Sequence, residues 1–172
     1  MRPRTRKLLL VLHVGVSVGW LGAVVASLAV GLLGLLATDA TLVRGAYLIL
    51  EPVGWSTLVP FSVASLLTGL VQSLAGTWGL ARHYWVVFKL LMNVLATAIL
   101  LLYMRTLGTL AASAADPDTG PAGLRTASPV LHAAGAIGLL VVALVLSVYK
   151  PRGLTGYGRR LQSRHTAPVE TT

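Results

Sequence analysis

Lys89, Asn93 and Thr97 stand at helical spacing inside an otherwise apolar stretch, YWVVFKLLMNVLATAILLLYM, residues 84–104. An ammonium can pair with a carboxylate, and an amide and a hydroxyl can orient what it pairs with. Three other apolar stretches carry comparable groups: His13 in LLLVLHVGVSVGWLGAV, Gln72 in VASLLTGLVQSLAG and Ser147 in LVLSVYK. A neutral imidazole ligates iron or copper. Together these residues offer a binding site for a metal or an anionic cofactor, provided the fold brings them to one level.

The elements that must do so are membrane spans. The chain has 172 residues, 55% hydrophobic and 11% charged, with a mean hydropathy of +0.78. Its apolar residues fall in four blocks, Leu8 to Ala37, Val53 to Ala75, Tyr84 to Met104 and Pro129 to Tyr149. Each is long enough for a hydrocarbon core of about 30 Å. Backbone groups in lipid must be satisfied internally, and none of the blocks alternates, so each is expected to be a helix. The fold class is all-α: an antiparallel bundle of four transmembrane helices. Residues 1–7 and 151–172 form basic tails around one domain, 8–150, and the final LQSRHTAPVETT reads as disordered. MRPRTRK followed by an apolar run resembles a secretory signal. A signal's core is roughly 7–15 residues, however, and this run is about twice that, so the segment is expected to remain. Cysteine is absent, which removes disulfides and thiolate metal sites.

The net charge of +9 could suggest nucleic acid, but its distribution points to a membrane. Arg2, Arg4, Arg6 and Lys7 precede the first span, Arg82 lies between the second and third, and Lys150, Arg152, Arg159, Arg160 and Arg164 follow the fourth; Glu170 is the one acid beside them. Across the membrane, Arg44, Arg105 and Arg125 are balanced by Asp39, Glu51, Asp116 and Asp118. This asymmetry puts both termini in the cytoplasm of a bacterial inner-membrane protein. The tails should rest on anionic lipid of the bilayer, and no nucleic-acid partner is expected. Trp78, Tyr84, Trp85 and Tyr149 mark one interface, and Trp55 and Tyr103 the other, as an aromatic belt does. ASAADPDTGPAGLRTASP, residues 112–129, reads as an external loop.

A rise of about 1.5 Å per residue places His13 roughly 7 Å below the cytoplasmic interface, with Lys89 and Gln72 at a similar depth and Ser147 slightly shallower. Lys89, Asn93 and Thr97 span an arc of about 80°, and polar faces in lipid turn inward. Two readings of Lys89 compete: an ammonium facing the interior, or a stem that snorkels to the headgroups. His13 and Gln72 likewise have a plain alternative as interhelical hydrogen-bonding residues. On the first span Gly15, Gly19 and Gly22 form a ridge almost opposite His13. It suits either a neighbouring helix or a homodimer. His132, at the outer start of the fourth span, is a second metal-ligating candidate. It lies roughly 18 Å from His13 along the membrane normal, so one ion cannot take both. Glu51 and Arg105 suit a structural ion pair or part of an outer site, with Tyr47. No role is assigned to His83 or His165, and none of these residues is assigned a catalytic one.

LHVGVSVGWLGAV, VPFSVASLLTGL, GTWGLARHYWVVFKL and LSVYKPRGLTGYGRR resemble a family of small bacterial integral membrane proteins of unknown function, over nearly the whole chain. More distantly, Leu-His followed by Trp-x-Gly on the first span, Pro and Thr-Gly on the second, and Trp-x-x-x-Lys on the third are similar to two families. These are the CopD-type copper-resistance proteins and the HemJ-type protoporphyrinogen oxidases. The second likeness implies that His13 and Lys89 are the required pair associated with haem or porphyrin. After Trp20 that family has Pro-Arg and another His where this chain reads LGAVVASLAV, and it has a later His where this chain reads LLYMR. The likeness therefore reaches the pair and not the rest of the constellation. The expectation ranked first is an accessory or binding protein holding haem b, porphyrin or copper through His13, Lys89, Gln72 and Asn93. A partner-binding scaffold without cofactor ranks second, and a tetrapyrrole oxidase third.

Overall fold

The computed structural model describes residues 3–75, 83–149, 153–156 and 159–160. Arg2, Trp78, Arg82, Lys150, Arg152, Arg164, His165, Glu170 and the tail from Leu161 lie outside the described residues. Among those described there is no strand, and four helical stretches are long and apolar enough to cross a membrane. They are α1 (Pro3–Leu36); α2 (Ala40–Val53) running through one π turn (Gly54–Leu58) into α3 (Val59–Ala75); α4 (Tyr84–Ala115); and α6 (Ser128–Tyr149), preceded by the short α5 (Pro121–Leu124). At about 1.5 Å per residue, the 34 residues of α1 overshoot a hydrocarbon core of about 30 Å. The helices therefore project beyond the apolar blocks that define them.

Two of these extensions depart from the sequence expectation. The second helix begins at Ala40 rather than near Val53, and the third continues to Ala115 rather than stopping near Met104. Asp39 explains the first: its carboxylate accepts from the backbone N–H groups of Thr41 and Leu42 and caps α2. Pro52 and Pro60, each lacking an N–H, flank the π turn, where the N–H of Val59 returns to Gly54 O. The extra residue re-registers the ladder between the two prolines, so the helix continues instead of breaking. Of the segment 112–129, residues 112–115 finish α4 and 121–124 form α5, leaving short turns between.

Early residues of α1 lie beside late residues of α3: Leu9 O accepts from Gln72 and His13 meets Thr68. The N–H of Tyr84 at the start of α4 donates to Gly153 O, beyond α6. At the opposite end, Arg125 donates to Ala37 O and Tyr47 meets Thr126. The two ends are called the terminal end and the loop end below. The interior holds two apolar clusters, one around Val43, Tyr47, Met104 and Leu124 toward the loop end, the other around Trp20, Val24, Leu58 and Ala96 at mid-height. The outside is apolar as well: Val18, Leu67, Leu102 and Val148 are all more than half exposed. In water such a surface would aggregate; in acyl chains it is what a multi-pass membrane protein presents.

Candidate functional site

The site begins with His13, which is 8% exposed. Its Nδ1 lies 2.9 Å from Thr68 Oγ1. The single hydroxyl proton of Thr68 is already committed to a carbonyl of its own helix, at 2.6 Å from Ala64 O and 3.2 Å from Ser65 O. Thr68 therefore accepts from His13, Nδ1 carries the imidazole proton, and Nε2 of the neutral ring keeps its lone pair. Gly69 makes room for this ring, because a Cβ there would stand 3.0 Å from His13 Cε1. One turn along, Ser17 and Ser65 hydrogen-bond at 2.8 Å, which fixes the rotation of α1 against α3.

Lys89 resolves the competition over its direction. Its ammonium donates to Ser147 Oγ at 2.9 Å, so it bridges α4 to α6 rather than reaching along α4 to a headgroup. Ser147 in turn donates to Ala143 O, leaving its oxygen free to accept. Lys89 hydrogen-bonds neither His13 nor Gln72. Gln72 spends its Nε2 on Leu9 O at 2.7 Å, the interhelical link that was its plainer reading. Asn93 and Thr97 continue the Lys89 face inward. Asn93 Oδ1 and Thr97 Oγ1 are buried without a hydrogen-bond partner. Orphaned acceptors of this kind are rare in folded chains and mark a place where something else is expected to bond.

The other candidates lie elsewhere. His132 stacks on Tyr103 toward the loop end, with centroids 3.8 Å apart. Glu51 lies over Gly108, whose added Cβ would be 3.2 Å from Glu51 Oε1, while Arg105 is exposed; no ion pair between them is present. Tyr47 is fully buried and bonds to both the N–H and the carbonyl of Thr126, so it is structural. The glycine ridge divides: Gly19 is covered by Phe61, 3.2 Å from where its Cβ would be, whereas Gly15 and Gly22 face open space. Among the described residues no three His, Asp or Glu side chains converge as a metal site. Sequence reasoning passed over Thr68 and Gly69 as site residues, although both share the face of Gln72 one turn away and that spacing was visible.

Four helices of membrane length and composition are those of a multi-pass membrane protein. Compared with protein-family models, with the curated proteins and with the solved structures, the chain matches none.

Proposed function

We propose that the chain is an accessory or binding protein of a bacterial cytoplasmic membrane, an antiparallel four-helix bundle with both termini in the cytoplasm, whose terminal-end layer takes a haem-class tetrapyrrole. The observation that carries this reading is the committed proton of Thr68, which leaves His13 Nε2 as a free donor of electrons to a metal. Lys89, on α4, supplies a cation suited to a propionate, and Asn93 and Thr97 supply unspent polar atoms one and two turns further along the same helix. The residues fit an axially ligated porphyrin iron, which needs only one nitrogen from this chain. They fit a protein-caged copper ion less well, since that would need several converging ligands. The likeness of His13 and Lys89 to the required pair of the HemJ-type proteins supports the same choice. The exposed Arg4, Arg6 and Lys7 suit anionic headgroups at that end.

The test is titration of the purified, detergent-solubilised protein with ferric haem, followed by its Soret band and by metal analysis. Saturable binding is expected, lost in His13→Ala and weakened in Lys89→Met. Equal binding by wild type and His13→Ala would remove the reading, with unfolding curves showing that the variant is folded.

A second reading, a partner-binding scaffold, is favoured by the open space at Gly15 and Gly22, where a second copy's helix could approach closely. Cross-linking that disappears in Gly15→Leu while haem binding persists would favour it.

A further inference from the structure

A cavity of about 450 Å³ lies between α1, α4 and α6 on the loop-end side of Trp20, within the usual range for small-molecule pockets. It shares no residue with the layer of His13 and Lys89. Its walls are apolar, formed by residues such as Val24, Leu58 and Leu100. Its mouth lies where Ile99 of α4 is 43% and Leu131 of α6 68% exposed. That flank of a membrane bundle faces acyl chains, so an occupant enters sideways from the lipid and must be largely apolar itself.

One end of the cavity is polar and its protons are assigned. His132 and Tyr103 both line it, their rings stacked at 3.8 Å with 15° between planes. His132 Nδ1 is 2.9 Å from Ser128 O. A carbonyl only accepts, so Nδ1 carries the proton, and in the neutral ring Nε2 is an acceptor awaiting a donor. Tyr103 is held in place by its hydroxyl bond to Ser128 Oγ at 3.0 Å. An apolar body, a flat ring narrow enough to enter between α4 and α6 and an O–H to meet Nε2 together describe a narrow class.

We propose that this cavity binds a membrane-dissolved phenol or hydroquinone, its hydroxyl donating to His132 Nε2 and its apolar chain leaving between α4 and α6. An acceptor-only ring, such as the corresponding quinone, leaves Nε2 unpaired. An aliphatic alcohol donates but does not fill the space. The reduced ring should therefore be preferred to both.

The experiment is calorimetric titration of the full chain in micelles with decylhydroquinone, kept reduced under argon, then with decylquinone and with 1-decanol, protein-free micelles being subtracted. Saturable one-to-one binding is expected for the hydroquinone, roughly tenfold tighter than for the other two, as one added hydrogen bond allows. His132→Leu should weaken the hydroquinone by a similar factor and leave the quinone unchanged. Gly135→Leu should weaken binding, because Gly135 lines the cavity and an added Cβ there meets nothing within 4 Å. Absence of saturation, equal affinity for the two redox forms, or hydroquinone binding unaltered in both variants would each overturn the proposal. Because the site is separate from His13, haem titration of Gly135→Leu should match wild type.

Discussion

The loop end and the terminal end handle the same problem, polar groups inside an apolar bundle, in opposite ways. At the loop end Arg44 spreads its guanidinium over four carbonyls, those of Ala114, Asp116, Pro117 and Thr119, and so ties the chain beyond α4 to α2. Arg125 reaches Ala37 O, and the buried Tyr47 hydroxyl both donates to and accepts from Thr126. Toward the terminal end Lys89 has one neutral hydroxyl as its hydrogen-bond partner, and further along α4 toward mid-height Asn93 Oδ1 and Thr97 Oγ1 have none. Completed networks rigidify a fold, whereas incomplete ones cost stability that something else must make worthwhile. The contrast is between polar groups that are satisfied, as around Arg44 and Tyr47, and polar groups that are not, as at Asn93 and Thr97.

The largest effect should come from breaking the first half of that contrast. Arg44→Ala removes the clamp from several part-buried carbonyls at once, and bonds to a charged donor are worth more than neutral ones. A loss of about 2–3 kcal/mol is expected, read by unfolding in mixed micelles. Arg44→Lys keeps the charge but not the fork, and should recover less than half. An unaltered midpoint in Arg44→Ala would mean that the loop end is held by packing alone.

Next in size is Tyr47→Phe, which keeps the ring against Gly34 but strands the N–H and carbonyl of Thr126. It should cost about 1–2 kcal/mol on the same assay. Gly34→Ala attacks the same residue from the other side, since the new Cβ would come within 3.0 Å of the Tyr47 ring. If Tyr47→Phe were neutral while Gly34→Ala were costly, the ring's packing and not its hydroxyl would be what fastens α2 to α5.

A smaller effect should appear as pH dependence. Asp39 and Asp116 both sit below the ordinary carboxylate value of 3.8, Asp39 because the N–H groups of Leu42 and Thr41 hydrogen-bond its charge, Asp116 because the N–H of Asp118 and the hydroxyl of Thr119 do. A folded-state pKa below the unfolded one means that each group's contribution is complete above pH 3.8 and fades as pH falls through the depressed value. The contribution of these two aspartates should therefore be constant from pH 7 to about 5 and then decline. The decline should be shallower in Asp39→Asn, which retains an N-cap that does not titrate. An equally steep decline in that variant would place the acid sensitivity elsewhere in the bundle.

How much of this was legible follows from the physics of each element. Four spans could be read because apolar blocks of membrane length have few other outcomes. Helix between Ala40 and Val53 could not, since that stretch holds Arg44, Glu51 and Pro52; its continuity depends on a cap and on carbonyls some seventy positions away. Depth is simple arithmetic, and it foresaw two adjacencies, Lys89 beside Ser147 and His13 beside the end of α3 that carries Gln72. The hydrogen bonds themselves were not legible, because they depend on helix rotation: Lys89 chose Ser147, and His13 chose Thr68. The cavity left only a faint signature, the run of small residues AAGAIG at 133–138, where side chains too short to fill the interior leave room beside His132.

The smallest expected effect is also the one that sharpens the comparison most. Thr97→Val replaces a hydroxyl by a methyl of nearly equal volume at a position only 6% exposed. Were Thr97 part of a structural network, the change would cost about 1 kcal/mol or more, as a broken buried hydrogen bond does. Its Oγ1 has no partner to lose, so removing it instead relieves a desolvated polar atom. Stability should stay level or rise slightly, measured by the same unfolding curves used for Arg44→Ala. On the proposed haem reading, ferric-haem affinity should fall in the variant, because it loses an unspent hydroxyl one turn from Asn93. A chain that is no less stable and yet binds less is the signature of a receiving site. A Thr97→Val protein that is destabilised, with affinity intact, would make the two ends alike.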